Sequence, residues 1–128
     1  MTTSYATQAD ERKKYQLLDL MRRYHRGVDK SAKKSELIEE LYGPEAAQDK
    51  TYNSRYDRSL RDMIEEINQE GGVICSDSTH GYWWAASIDD GIAAAEKNLA
   101  RAFTQKKNAE QLIENLKREY GGQLGMFQ

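Results

Sequence analysis

From Ile88 to Tyr120 the chain carries no proline, and Gly91 is the only residue of that run that weakens a helix. Ser87 stands before it as an N-cap, with Asp90 three residues on in the place a capping box gives to glutamate. At 1.5 Å of rise per residue, a helix over this run is roughly 50 Å long, longer than a small domain is wide. A chain of 128 residues therefore has to form its core upstream and leave this helix as an extended element. Ile92, Ala95, Leu99, Ala102, Lys106, Ala109, Ile113, Leu116 and Tyr120 follow one another in steps of three and four. That spacing is an a/d heptad seam of about four heptads, with Lys106 as its one polar a-position. Packing along the chain's own domain satisfies such a seam, and so does self-association. The expectation is a homodimer formed through this helix.

Upstream, "ERKKYQLLDLMRRYHRG" puts Leu17, Leu18, Met21 and Tyr24 at helical spacing and stops at Gly27. "SAKKSELIEELYGP" lines up Leu37, Ile38, Leu41 and Tyr42 before two breakers, Gly43 and Pro44. The polar connection "EAAQDKTY" leaves room for half a turn. A third helix opens at Asn53 as N-cap and places Tyr56, Leu60, Met63, Ile64 and Ile67 on one side until Gly71 and Gly72 end it. The period then changes. "VIC" and "YWWAA" are short β-prone runs about a turn-forming "SDSTHG", which predicts a hairpin. Alternation sends Tyr82 and Trp84 to one of its faces and Trp83 to the other.

Hydrophobic residues make up 38% of the chain and charged residues 31%, and the mean hydropathy is -0.91, so the core is expected to be small and the exposed surface large. No apolar stretch is long enough to cross a bilayer and the start carries no hydrophobic signal core, from which no membrane association and a cytoplasmic location are expected. The single cysteine, Cys75, has no partner for an internal disulfide and reads as a small buried hydrophobe. No glycine-rich phosphate loop, nucleophile elbow or zinc spacing occurs, and His80 has no second ligand nearby. An enzyme, a cofactor and a metal are accordingly not expected.

The net charge of -2 hides a segregation. Nine lysines and arginines stand against two acids between Arg12 and Lys34, and four against one between Lys50 and Arg61. Five acids with no base occupy 36–49, and five more occupy 62–77. Such blocks either are ordinary solvated helix faces or assemble one basic face on a near-neutral molecule, and it is the face that meets phosphate.

Three helices and then a two-stranded hairpin is the element order of a winged helix. The fold class expected is thus α+β, mainly helical: a winged helix over residues 1–87, the long helix over 88–120 and a tail over 121–128. In that architecture the third helix enters the major groove and the hairpin touches the flanking backbone. Burial of the apolar side of helix three turns Arg55, Arg58, Ser59 and Asp62 outward. The candidate DNA-binding residues are Lys33, Lys34, Arg55, Arg58 and Ser59, with Thr79 and His80 in the wing turn. The run "YDRSLRDMIEEINQEGGVICSDSTHGYWWAA" resembles the winged helix-turn-helix proteins of bacteriophages and prophages. Asp57, Arg58, Leu60 and Arg61 match the helix of that family, and Gly72, Val73, Ile74, Cys75, Gly81 and Tyr82 match its wing. The resemblance covers residues 10 to 90 or so and implies binding of double-stranded DNA in replication or transcription control. The alternative is an adaptor or inhibitor whose winged helix binds protein, a reading supported by Glu65, Glu66 and Glu70 on the same helix, and whose C-terminal tail occupies the sliding clamp.

The end of the sequence, "GGQLGMFQ", sets apolar side chains beyond the long helix. "QLGMF" resembles the peptide by which bacterial proteins dock on the DNA polymerase III sliding clamp, Gln-Leu-x-Leu-Phe. Gln123, Leu124 and Phe127 match and Met126 stands in for leucine. The resemblance implies the sliding clamp as a second partner, with Leu124, Met126 and Phe127 entering an apolar pocket and Gln123 fixing register. The alternative is that the tail packs on the protein itself.

Overall fold

The computed structural model describes residues 5–48 and 54–121, with side chains from residue 11 onward. The expected cap Asn53 and the expected clamp residues Gln123, Leu124, Met126 and Phe127 lie outside the described residues. In order, the elements are α1 (Tyr5–Tyr24), a 3-10 turn (Val28–Lys30), α2 (Lys34–Tyr42), α3 (Pro44–Ala47) and α4 (Arg55–Gln69), then β1 (Ile74–Asp77), β2 (Gly81–Trp84) and α5 (Ile88–Tyr120). The protein is mainly helical, with one small antiparallel sheet and a long C-terminal helix. It divides into two compact units, Met1–Ala94 and Ala95–Gln128, so the first turns of α5 belong with the elements before them.

The core of the first unit joins Leu17 and Met21 of α1, Leu37, Ile38 and Leu41 of α2, and Leu60, Met63 and Ile67 of α4 to Ile74 of β1. All but Ile74, which belongs to the β-prone run, are residues that helical spacing marks. Tyr24, placed on the same stripe by its spacing, is exposed because α1 ends there. Past it the chain turns onto the sheet. The connection after α2 is not structureless either: Pro44, with its preset φ and no N–H to lose, starts the short α3, and Ala46 is buried.

Ser54 caps α4, its Oγ accepting from the Asp57 N–H at 3.3 Å. The other end of α4 is closed by Gly71, at φ 105°, and by the Gly72 N–H, which donates to the Ile67 carbonyl at 2.8 Å. The Asn68 amide then holds Ile74 at both its N–H and its carbonyl, each at 2.9 Å, and so fixes where β1 begins.

β1 pairs with β2 in the register Ile74 with Trp84, Cys75 with Trp83 and Ser76 with Tyr82. The other edge of β2 is paired too. Ala32 and Tyr82 exchange two backbone hydrogen bonds of 2.8 and 2.9 Å, and Trp84 is bonded through its N–H to His25 and through its carbonyl to Gly27. The link between α1 and α2 thus works as a third, interrupted strand. Gly81 makes this approach workable: its φ is 97°, and a Cβ there would sit 2.4 Å from the Ala32 carbonyl oxygen. Tyr82 and Trp84 pack against the core while Trp83, on the opposite face, is 3% exposed. Its indole N–H donates to both carboxylate oxygens of Asp90 at 3.1 Å. Ser87 does cap α5, its Oγ accepting from the Asp90 N–H at 3.2 Å, but the Asp90 carboxylate turns to Trp83 and the Ala86 N–H instead of completing a capping box.

Candidate nucleic-acid interface

Two contacts fix the geometry of the basic segments. The Lys33 ammonium donates to the Thr79 carbonyl, which ties the start of α2 to the turn between β1 and β2. One residue on, the Lys34 ammonium donates to the Asp57 carboxylate at 3.1 Å, which ties the first turn of α2 to the first turn of α4. Thr79, Lys33, Lys34 and Asp57 therefore form a contact chain running from the hairpin turn to the N-terminus of α4. Asp57 is the buried end of it, at 9% exposure, and its ammonium partner is half exposed. Asp57 thus faces in, while its helix neighbours Arg55 and Arg58 are exposed.

The hairpin turn is closed by one carboxylate. Asp77 accepts from the backbone N–H groups of Thr79, at 3.0 Å, and His80, and its second oxygen meets the His80 Nδ1 at 2.8 Å. Burial alone raises the Asp77 carboxyl, but the His80 backbone and ring bonds and the Thr79 N–H together outweigh it and hold the group below its ordinary value. The His80 ring stands edge-on to Trp83 at 6.3 Å. Nearby, burial pushes the Tyr82 hydroxyl up, and the charges of Lys34 and Arg61 pull partly against that shift.

On α4, Arg55 donates to the Tyr56 hydroxyl at 2.8 Å and lies over the ring of that residue. Arg58 is exposed, and among the described residues its guanidinium makes no hydrogen bond or ion pair. Ser59 is half-buried beside it, and Asp62 and Glu65 continue the same outward face. The face is thus basic for its first turn and acidic after it. The other two acids of α4 are accounted for. Lys14, 4% exposed on α1, donates to Glu66 at 2.9 Å and to Glu70 at 3.0 Å. The bond to Glu66, then that to Glu70, raises the Lys14 ammonium above its ordinary value although burial opposes it.

The structure brings Lys33, Lys34, Thr79 and His80 to the turn side of the sheet and Arg55, Arg58 and Ser59 to the first turns of α4. Most of the basic residues of α1 point elsewhere: Lys13 donates to the Leu41 carbonyl, Arg22 lies over Trp84 and Arg23 pairs with Asp19 at 2.8 Å. His25 closes the end of α1, its Nδ1 3.0 Å from the Lys30 carbonyl. Periodicity gave no sign of the Lys14 clamp or of the Lys33 and Lys34 anchors, because the partners are 46 to 56 residues away for Lys33 and Lys14 and 23 for Lys34. Two clefts, one of about 280 Å³ beside Tyr15, Leu18 and Trp84 and one of about 480 Å³ beside Arg22, Arg23 and Arg26, contain none of the seven candidate residues. Among the described residues no group of His, Cys, Asp and Glu is placed to hold a metal ion, and no helix is long and apolar enough to cross a membrane.

The chain matches no family model, no curated protein and no solved structure.

Proposed function

We propose that this protein binds double-stranded DNA as a winged helix, with α4 in the major groove and the hairpin turn against the neighbouring backbone. The observation that carries the reading is the contact chain Thr79, Lys33, Lys34, Asp57, which links the hairpin turn to the helix end bearing Arg55 and Arg58. A helix N-terminus favours anions, and an exposed arginine in its first turns reaches phosphate or a guanine edge. Lys14 supports the same reading by neutralising Glu66 and Glu70, the acids that oppose phosphate further along α4. The role proposed is replication or transcription control of a phage or mobile element, with Gln123, Leu124, Met126 and Phe127 recruiting the sliding clamp. The exposed Asp62 and Glu65 favour a second reading, an adaptor that binds a basic protein surface.

Duplex binding followed by fluorescence anisotropy separates the two. On the first reading, affinity falls on the order of 100-fold or more between 50 and 200 mM salt. Arg58→Ala costs about 1–3 kcal/mol and relaxes sequence preference, and Arg55→Ala/Arg58→Ala abolishes specific binding. Binding that ignores both salt and these arginines sinks the reading. Capture of the purified clamp in the presence of DNase, lost on deletion of residues 123–128, tests the tail.

A further inference from the structure

We propose that residues 95–120 of α5 pair with the same segment of a second copy of this chain, and that the two helices run antiparallel. This does not rest on the DNA reading. Within the second unit Leu99 is 69% exposed, Phe103 63%, Leu112 58% and Ile113 47%, and among the described residues no side chain of that unit is buried. The helix's own polar contacts leave this face clear: Gln111 and Arg118 both donate to Asn115, and Glu114 faces Lys117 across 3.8 Å. Residues 111, 114, 115 and 118 lie on the b, c and f positions, away from the a/d seam, and Lys117 lies at an e position on its border.

The sizes of the seam residues choose the orientation. In a parallel pair in register, Lys106 meets the partner's Lys106, and Ala95, Ala102 and Ala109 each meet the same alanine of the partner. Such an arrangement sets like charges together and leaves thin layers. In an antiparallel pair each a-position faces a d-position. One register then places Ala95 against the partner's Tyr120, Leu99 against the partner's Leu116, Ala102 against the partner's Ile113, and Lys106 against the partner's Ala109. Three alanines meet large side chains, and the Lys106 stem packs on a methyl group while its ammonium reaches water. Phe103 and Leu112 flank the layers with the smallest side chains.

Charge agrees with size. In this register Glu96 lies beside the partner's Lys117, and two-fold symmetry repeats that pair. Antiparallel packing also sets the opposed helix dipoles side by side. The overlap is residues 95–120, which starts where the first unit ends at Ala94. The two Ala95 residues come to stand about 37 Å apart along the pair, whereas a parallel pair sets them one helix spacing apart, about 8–10 Å.

The test uses the full chain, free of nucleic acid. Sedimentation equilibrium gives a dimer, and Leu99→Asp gives a monomer; a monomeric parent, or a dimer indifferent to Leu99→Asp, overturns the proposal. For orientation, chains bearing Leu99→Cys and chains bearing Leu116→Cys, both with Cys75→Ser, are mixed and oxidised. The expected product is the disulfide between positions 99 and 116, in at least tenfold excess over the 99-to-99 product. Dominance of the 99-to-99 product overturns the antiparallel arrangement. Should the Cys75→Ser background fold poorly, Cys75 is kept and the linked peptides are assigned by mass spectrometry. None of these measurements involves DNA, so the failure of one reading leaves the other standing.

Discussion

α4 and the second unit's part of α5 are written with the same spacing and have opposite fates. In α4 the stripe is Leu60, Met63 and Ile67, exposed by 0, 5 and 4%, and it anchors the core of the first unit. In α5 every second seam position from 95 to 109 is alanine, and of the larger residues between and beyond them Leu99, Lys106, Ile113 and Tyr120 are exposed and Leu116 is half-buried. Spacing states that a face is to be covered. The size of the residues on it states what can cover it: a row of leucine-sized groups fills the space between non-parallel helices and a sheet, while alternating small and large groups suit the close approach of one further helix.

The sharpest way to break this contrast is to cut one leucine from each helix. Leu60→Ala leaves a cavity at a fully buried site, and the first unit should lose about 3–5 kcal/mol. Leu99→Ala should leave the first unit within about 0.5 kcal/mol of the parent, because the side chain has nothing there to lose. Urea unfolding followed by tryptophan fluorescence reads the first unit alone, since Trp83 and Trp84 both belong to it. A fluorescence midpoint lowered as much by Leu99→Ala as by Leu60→Ala would show that the two units are not separately held.

The contrast also explains what the sequence made legible. Elements whose order depends on local spacing were readable: three amphipathic helices with Leu17, Leu37 and Leu60 inward, the hairpin, and the long helix behind Ser87. The cap of α4 is Ser54, one residue beyond the expected Asn53, since both residue types can cap and only the backbone turn decides between them. Of the candidate site, the exposed places of Arg55 and Arg58 on α4 follow from periodicity, whereas Ser59, expected outward, is half-buried. The anchors do not follow from it. Lys14, Lys33, Lys34 and Asp57 look in sequence like any solvated charges, and their roles appear only when distant segments meet. The strand-like link from His25 to Ala32 was invisible for the same reason, because its hydrogen bonds come from β2 and not from its own β propensity.

A second prediction sharpens the contrast within the first unit, where charge as well as apolar surface is buried. Glu66→Gln/Glu70→Gln leaves the Lys14 ammonium, 5% exposed, without a counter-charge, and should cost about 2–3 kcal/mol. Lys14→Met removes the buried charge instead and leaves two carboxylates that are more than half exposed and can take up water. It should cost less than the double substitution, by about 1 kcal/mol or more. Equal losses in urea unfolding would mean that the clamp acts through packing of the lysine stem and not through its charge. The sign with pH follows from the raised Lys14 value: the contribution is complete below 10.5 and fades as pH climbs through the higher folded value.

The smallest expected effect lies at the hairpin turn, which neither a core nor a second helix covers. Thr79 and His80 are exposed, and the shape of the turn comes from three bonds to Asp77. Because the folded value of this carboxyl lies below 3.8, its contribution is present above pH 3.8 and is lost as pH falls through the folded value. In an NMR titration the Asp77 carboxyl should show its midpoint below 3.8, and the Thr79 and His80 amides should move with the same midpoint as they lose their acceptor. Asp77→Asn keeps an oxygen to accept from both amides but removes the charge beside His80, so it should cost only a few tenths of a kcal/mol in unfolding. A midpoint at or above 3.8, or amides that ignore it, would place the closure of the turn in its backbone and not in Asp77. The tip that Lys33 ties to the start of α2 would then be ordered from that side, and Lys33→Ala would become the substitution that loosens it.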